Sequence, residues 1–169
     1  MTWNLLLKYR GGERVDALGK IYSTTTVVTM KAGKKLNGIA VAWVTRVSID
    51  PPMLAISIGK TRYSHTLLNE TDRFGVCIMK PEAEELVSLF GSKSGSDTDK
   101  FLGLDYELSC SGTPIVPGTL AYIECVTKGK TDAGDHTIFV GEVVYQKLFD
   151  DERPLLYGEH KILNLDFRD

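Results

Sequence analysis

The segment from Asn37 to Ile58 constrains the fold most. It reads Asn37-Gly38-Ile39-Ala40-Val41-Ala42-Trp43-Val44-Thr45, then Asp50-Pro51-Pro52, then the apolar run Met53 to Ile58. Two consecutive prolines remove backbone donors and hold the residues before them away from helical angles, so the segment is two extended pieces separated by punctuation. A basic, hydroxyl-rich loop follows at once, Lys60-Thr61-Arg62-Tyr63-Ser64-His65. Strand, connection, strand and cationic bend place a flat apolar wall next to an anion site.

The rest of the chain reads as mainly extended. Ile21 to Met30 is dense in β-branched and aromatic residues, the composition of a pleated, partly buried strand. Lys31-Ala32-Gly33-Lys34-Lys35 has the polar and glycine content of a hairpin turn, and Gly38 to Thr45 resumes extended chain. Ser64 to Asn69 is predicted to be a short helix capped by a hydroxyl, and Arg73 to Met79 another strand. From Pro81-Glu82 a helix is predicted to end near Gly91, with Leu86, Leu89 and Phe90 sharing one face. Ser92 to Asp97 is a polar loop, and Asp99 to Leu102 resembles one further helical turn. Thr119 to Lys128 and Thr137 to Leu148 are predicted strands, joined by a hairpin-like break at Asp132-Ala133-Gly134-Asp135. There is no βαβ rhythm, internal repeat or linker. The expected architecture is one mainly β domain over residues 1–169, an antiparallel, Greek-key-like β-barrel with a few peripheral helices.

Composition narrows the function. A chain of 169 residues buries roughly 70% of its unfolded surface and needs no disulfide staple. Twenty basic against 22 acidic residues give a net charge of -2, which supplies no broad attraction to nucleic acid or to an anionic membrane. Cys77, Cys110 and Cys125 are odd in number and lack paired spacing, so they read as three reduced thiols in or beside strands. Met1 to Leu7 lacks a secretory signal and no stretch reaches transmembrane length, so a cytoplasmic location is expected. Three histidines and three cysteines show no metal-ligand spacing, and neither a Rossmann glycine fingerprint nor a Walker loop is present.

A planar ring with a phosphate tail needs both parts of the Asn37 to His65 pattern, and a flavin nucleotide is such a ligand. The chain further resembles the flavin reductase-like family of FMN-binding split β-barrels, which includes flavoredoxins and ferric or flavin reductases. The likeness covers roughly Ile21 to Leu163 and is carried by Asn37 to Val44, Ser48-Ile49-Asp50-Pro51-Pro52, Arg62-Tyr63-Ser64-His65-Thr66, Arg73-Phe74-Gly75-Val76, Gly134-Asp135-His136 and Gly141-Glu142-Val143. The resemblance implies a homodimer that binds FMN non-covalently and takes reducing equivalents from NADH or NADPH. It also implies that the nicotinamide stacks transiently on the flavin, leaves, and is replaced by a flavin, ferric or protein acceptor. A flavoredoxin-like carrier, reduced by an electron-transfer protein without nicotinamide turnover, is the alternative.

By the same resemblance the flavin lies along Ala40, Val41, Ala42, Trp43, Val44 and Thr45, and along the strand and loop formed by Ser57, Ile58, Gly59, Lys60, Arg62, Ser64 and His65. Val41 and Ala42 stand where many members carry Asn, Ser or Thr, which shifts the expected contact there to backbone. Trp43 is either a wall of the flavin site or a core aromatic. Lys60, Arg62 and Ser64, with the start of the following helix, are the expected phosphate grip, to be weighed against an ordinary solvated loop. Asn37 joins the same set, and Lys93 and Ser94 are expected to close over the phosphate. His65 either donates to phosphate or ribityl oxygen or caps the local helix. His136, in Gly134-Asp135-His136, is the candidate catalytic residue, facing nicotinamide or substrate, with a purely structural histidine as the alternative.

Overall fold

The computed structural model describes residues 8–10 and 13–163. Seven strands make the main sheet: β1 (Thr26–Ala32), β2 (Lys35–Val41), β3 (Val44–Ser48), β4 (Met53–Gly59), β5 (Arg73–Met79), β6 (Thr119–Ala133) and β7 (His136–Leu148). All neighbours are antiparallel, and the spatial order is β2-β1-β5-β6-β7-β4-β3. The two edge strands, β2 and β3, are consecutive in sequence with only Ala42 and Trp43 between them. Two residues span at most about 7 Å. The opposite edges of a seven-stranded sheet must therefore lie side by side, and the sheet rolls into a barrel split along this seam.

The predicted strand from Ile21 to Met30 is two pieces, Ser23–Thr24 and β1; the latter runs on to Ala32 before a turn at Gly33-Lys34. The continuous stretch expected from Gly38 to Thr45 is broken at Ala42-Trp43, where the Val44 amide donates to the Ala42 carbonyl at 3.1 Å. Arg73 to Met79 and Met53 to Ile58 are strands as predicted.

Alternation along β1 and β5 divides the interior in two. Val28, Met30, Phe74 and Val76 fill the barrel with Leu54, Ile56, Ile58 and Phe139. Val27, Cys77 and Met79, on the opposite face, pack outside against Val87, Phe90, Phe101 and Tyr122. Strands buried on both faces read as unbroken apolar runs, which is why Thr26 to Met30 shows little alternation.

Two helices brace the barrel, α1 (Tyr63–Glu70) and α2 (Glu84–Ser92). The buried positions of α2 are Val87 and Phe90, one residue round from the predicted face, and Leu86 and Leu89 flank them half-buried. Phe90 seats α2 on β2, because a Cβ at Gly38 would lie 2.7 Å from its ring. The expected helical turn at Asp99 to Leu102 is a non-helical turn. Strands β6 and β7 are joined by Gly134-Asp135 alone; Gly134 has φ +62°, the geometry of a type II′ turn, whose twist matches the strands. No helix among the described residues is long and apolar enough to cross a membrane.

Candidate functional site

The site begins at the seam. Strand β4 pairs with β3 on one side and β7 on the other, with His136 opposite Gly59 and Val44 opposite Ile56. The Ser57 amide donates to the Trp43 carbonyl at 3.0 Å, which carries the seam residues alongside the end of β4. Trp43 and His136 thus flank Ser57 to Gly59 from opposite sides, and their rings meet with centroids 4.8 Å apart and planes tilted by 45°. Trp43 is 59% exposed, which removes the core alternative and leaves a large apolar ring facing solvent.

Asp135 fixes His136. Its carboxylate accepts from His136 Nδ1 at 2.8 Å, and this hydrogen bond holds the Asp135 carboxyl below its ordinary range. Nε2 then points toward Gly59: a Cβ there would sit 3.6 Å from His136 Nε2 and 3.5 Å from Arg62 Cγ. Gly59 therefore joins the aromatic pair to the cationic bend, with one ring nitrogen and the stem of Arg62 beside the same backbone.

The bend itself starts α1, whose N-cap Arg62 is extended and makes no side-chain cap. The expected hydroxyl cap is not formed. Ser64 is buried and its hydroxyl accepts from Asn37 Nδ2 at 2.9 Å, so these two residues tie α1 to edge strand β2. Lys60 forms an exposed, solvent-screened pair with Asp132 at 3.1 Å, and its amide donates to the Asp135 carbonyl. Its ammonium, together with the Thr137 hydroxyl, keeps the Asp132 carboxyl below its ordinary range.

His65 takes neither of its expected roles. Its Nε2 donates at 2.9 Å to Thr137 Oγ1, which donates in turn to Asp132 Oδ1 at 3.1 Å, and its ring meets Phe139 edge-on. His65 ties α1 to β7, and its ring is spent inside the protein. The side chains of Val41 and Ile58 point into the core, so those positions have only backbone to offer a ligand. Ala40, Ala42, Val44 and Ser57 are partly buried along the seam, and Thr45 is exposed.

Lys93 and Ser94 follow α2 and are exposed. Their loop reaches the same place through Gly95, where any Cβ would collide with the Asn37 side-chain oxygen. The residues missed in the sequence lie here. A cavity of about 530 Å³ is lined by Lys34, Lys35, Asn37, Tyr63, Gly95 and Lys100, among others. Lys100 is buried, and burial followed by the charge of Arg62 brings its pKa down to about 8. A lysine in Asp99-Lys100-Phe101 carries no local signal of burial, because the fold alone brings Gly38 and the end of α2 to it. Among the described residues, no group of three His, Cys, Asp or Glu is placed to hold a metal ion.

These residues make one continuous surface: an exposed indole beside an oriented imidazole, then the strand ends at the seam, then a cationic bend over a polar cavity. A planar heterocycle with an anionic tail fits that order. Residues 18–166 match the family profile described as flavin reductase like domain. The chain is 36% identical over 129 residues to the FMN reductase (NADH) SmoA of Agrobacterium fabrum, covering 76% of this chain and 72% of that protein. It is 35% identical to the high molecular weight rubredoxin of Moorella thermoacetica, covering 78% of this chain but only 58% of that protein's length. The solved NADH:FAD oxidoreductase SgcE6 of Streptomyces globisporus superposes with a TM-score of 0.81 at 28% identity, over 87% of this chain and 88% of that one.

Proposed function

The chain belongs to the flavin reductase-like family of oxidoreductases, and from that premise we propose that it binds FMN at the seam and passes reducing equivalents from NAD(P)H to an acceptor. The observation that carries this reading is the exposed Trp43 ring set 4.8 Å from His136. Two rings at the mouth of a barrel, one apolar and one polar, suit a flavin on one side and an exchangeable second ring on the other. When bound, the flavin supplies the redox chemistry, accepting a hydride from reduced nicotinamide and passing two electrons on.

The chain's own residues bind, orient and exclude. Trp43 removes apolar ring surface from water. The seam segments Ala40 to Val44 and Ser57 to Gly59 border the flavin's polar edge. Arg62, with Lys60 and the uncapped start of α1, draws the phosphate. His136, held by Asp135, presents Nε2 to the nicotinamide carboxamide or to the acceptor, so its part is positioning before any proton transfer. Lys93 and Ser94 border the phosphate end.

Val144, Tyr145, Leu148 and Phe149 are exposed at and just past the end of β7, and this supports a homodimer covering that end of the strand. Three free thiols, two of them buried, suit a reducing cytoplasm. The test is anaerobic: protein loaded with FMN and mixed with NADH or NADPH should lose its flavin absorbance band within the dead time of manual mixing. Persistence of the band with both nucleotides refutes the reading. The likeness to a protein named as a rubredoxin favours a second reading, an FMN carrier reduced by a protein donor. Bleaching by reduced rubredoxin but by neither nucleotide selects it.

A further inference from the structure

Lys100 is nearly solvent-free, at 4% exposure, and the functional reading above leaves it unused. Its ammonium donates to the carbonyl of Gly38, and at 3.3 Å to those of Phe90 and Lys93, while lying 5.2 Å from the centre of the Phe90 ring. An ammonium has three protons to donate and three carbonyls receive them. Phe90 and Lys93 carry carbonyls that α2 leaves without an intrahelical partner at its negative end, so the cation closes the helix and binds it to edge strand β2. None of the three acceptors is a carboxylate.

The surroundings explain why a full charge is kept there. Gly38 adjoins Asn37, which holds Ser64 in the first turn of α1, and Lys100 lines the same cavity as Asn37 and Tyr63. Arg62 repels Lys100, while Lys34, Lys35, Asp97, Asp99 and Tyr106 are the other charged or titratable groups on that cavity, with Lys93 above it. Lys100 and Arg62 feel each other's charge, and two like charges in one neighbourhood favour an anionic group between them.

We propose that Lys100 is a positioning residue for the phosphate end of the flavin, holding a buried positive charge behind Arg62 whose protonation is coupled to phosphate binding. This rests on the flavin reading of the seam. The sign follows from linkage. Desolvation and Arg62 bring the free protein's Lys100 down to about 8. A phosphate dianion at Arg62 relieves the repulsion and raises it again. Between the two values binding takes up a proton, and affinity falls as pH rises.

The experiment measures FMN and riboflavin binding by calorimetry from pH 7 to 9.5, in buffers of different ionisation heat, for wild type, Lys100→Arg and Lys100→Met. Wild type should take up a fraction of a proton with FMN near pH 8.5 and none with riboflavin, and its FMN affinity should fall about tenfold across the range, the equivalent of one pKa unit. Lys100→Arg keeps the charge and leaves every other group in place. It should bind FMN with no proton uptake from this source and a flat pH profile. Lys100→Met should weaken FMN at pH 7 and leave riboflavin nearly unchanged. Should Lys100→Met not fold, the arginine variant alone decides. Tight FMN binding with identical proton uptake in wild type and Lys100→Arg overturns the proposal and leaves the flavin reading standing. Absence of FMN binding in wild type at every pH overturns both.

Discussion

Replacing Trp43 with alanine separates the two jobs an aromatic residue can do. A tryptophan carries up to about 250 Å² of side-chain surface, so at 59% exposure about 150 Å² of Trp43 faces solvent. A planar ligand laid against one face covers about half of that, some 75 Å², and at about 25 cal/mol per Å² this is about 2 kcal/mol. Aromatic pairing adds about 0.5 to 1 kcal/mol, so the dissociation constant for FMN should rise roughly 70- to 150-fold. Stability should respond far less. The removed ring touches His136 but belongs to neither core cluster, and a change of about 1 kcal/mol moves the melting temperature of a chain this size by about 2 to 4 °C. Flavin fluorescence quenching gives the dissociation constant and calorimetric melting of the flavin-free protein gives the second number. An unchanged dissociation constant refutes Trp43 as the wall of the site. A drop in melting temperature above about 10 °C refutes the claim that the ring stands outside the core.

Three further outcomes follow from the same geometry. His136→Asn should keep FMN bound while raising KM for NAD(P)H, lowering kcat/KM about tenfold, or about 1.4 kcal/mol of transition-state binding; steady-state kinetics at saturating FMN checks it, and an unchanged KM counts against a positioning role. A thiol reagent at pH 8 should modify exposed Cys110 quickly, while Cys77 and Cys125, raised by burial to about 11 and 12, stay protected until denaturant frees all three; fast reaction of two thiols in the native protein contradicts the packing. Glu124 is buried, which alone would raise its carboxyl, but hydrogen bonds from Ser109, Ser111 and Tyr122 and the charge of Arg73 hold it below the ordinary value. Its contribution is therefore present above the unfolded pKa near 4.5 and lost as pH falls through the lower folded value, so Glu124→Gln should cost about 1 to 3 kcal/mol at pH 7, and the cost should shrink as the pH is lowered below 4.5 in chemical denaturation.

Strands with one dominant local signal were legible in the sequence. Arg73 to Met79 and Met53 to Ile58 combine β-branched and apolar runs with clear punctuation, and both are strands in place. The break at Ala42-Trp43 was not legible, because nothing in Ala-Val-Ala-Trp-Val resists extension locally. It is imposed by closure: β2 must leave one edge of the sheet and β3 enter the other. The hydroxyl cap failed for a similar reason. Ser64 has the right type for a cap, but the helix starts before it, behind Arg62, and Ser64 in the first turn gives its oxygen to Asn37, 27 positions away. His65 shows the same limit, since Thr137 reaches it only because β7 lies beside α1 in the barrel. Trp43 and His136 could be named from their motifs, while their contact depends on the registers of three strands.

The seam explains why a site forms here rather than elsewhere on the barrel. Every interior strand spends its backbone donors and acceptors on two neighbours; β2 and β3 each have one. A sheet edge open to water invites pairing with a foreign chain, and proteins blunt such edges with charge, bulges or cover. This edge is crossed by its own chain at Ala42-Trp43, and Trp43 is left exposed there. The turn at Gly134-Asp135 fixes His136 opposite Ala133 on β6, because a two-residue type II′ loop leaves no slack for the register to slip, and the pairing of β7 with β4 sets it opposite Gly59. At the other end of the same edge, Asn37 and Gly38 connect the backbone to Ser64 and Lys100, so the cationic bend and the aromatic pair share one strand boundary. The same incomplete pairing that makes the barrel split provides both the flat polar wall and the rigid frame on which the charges are mounted.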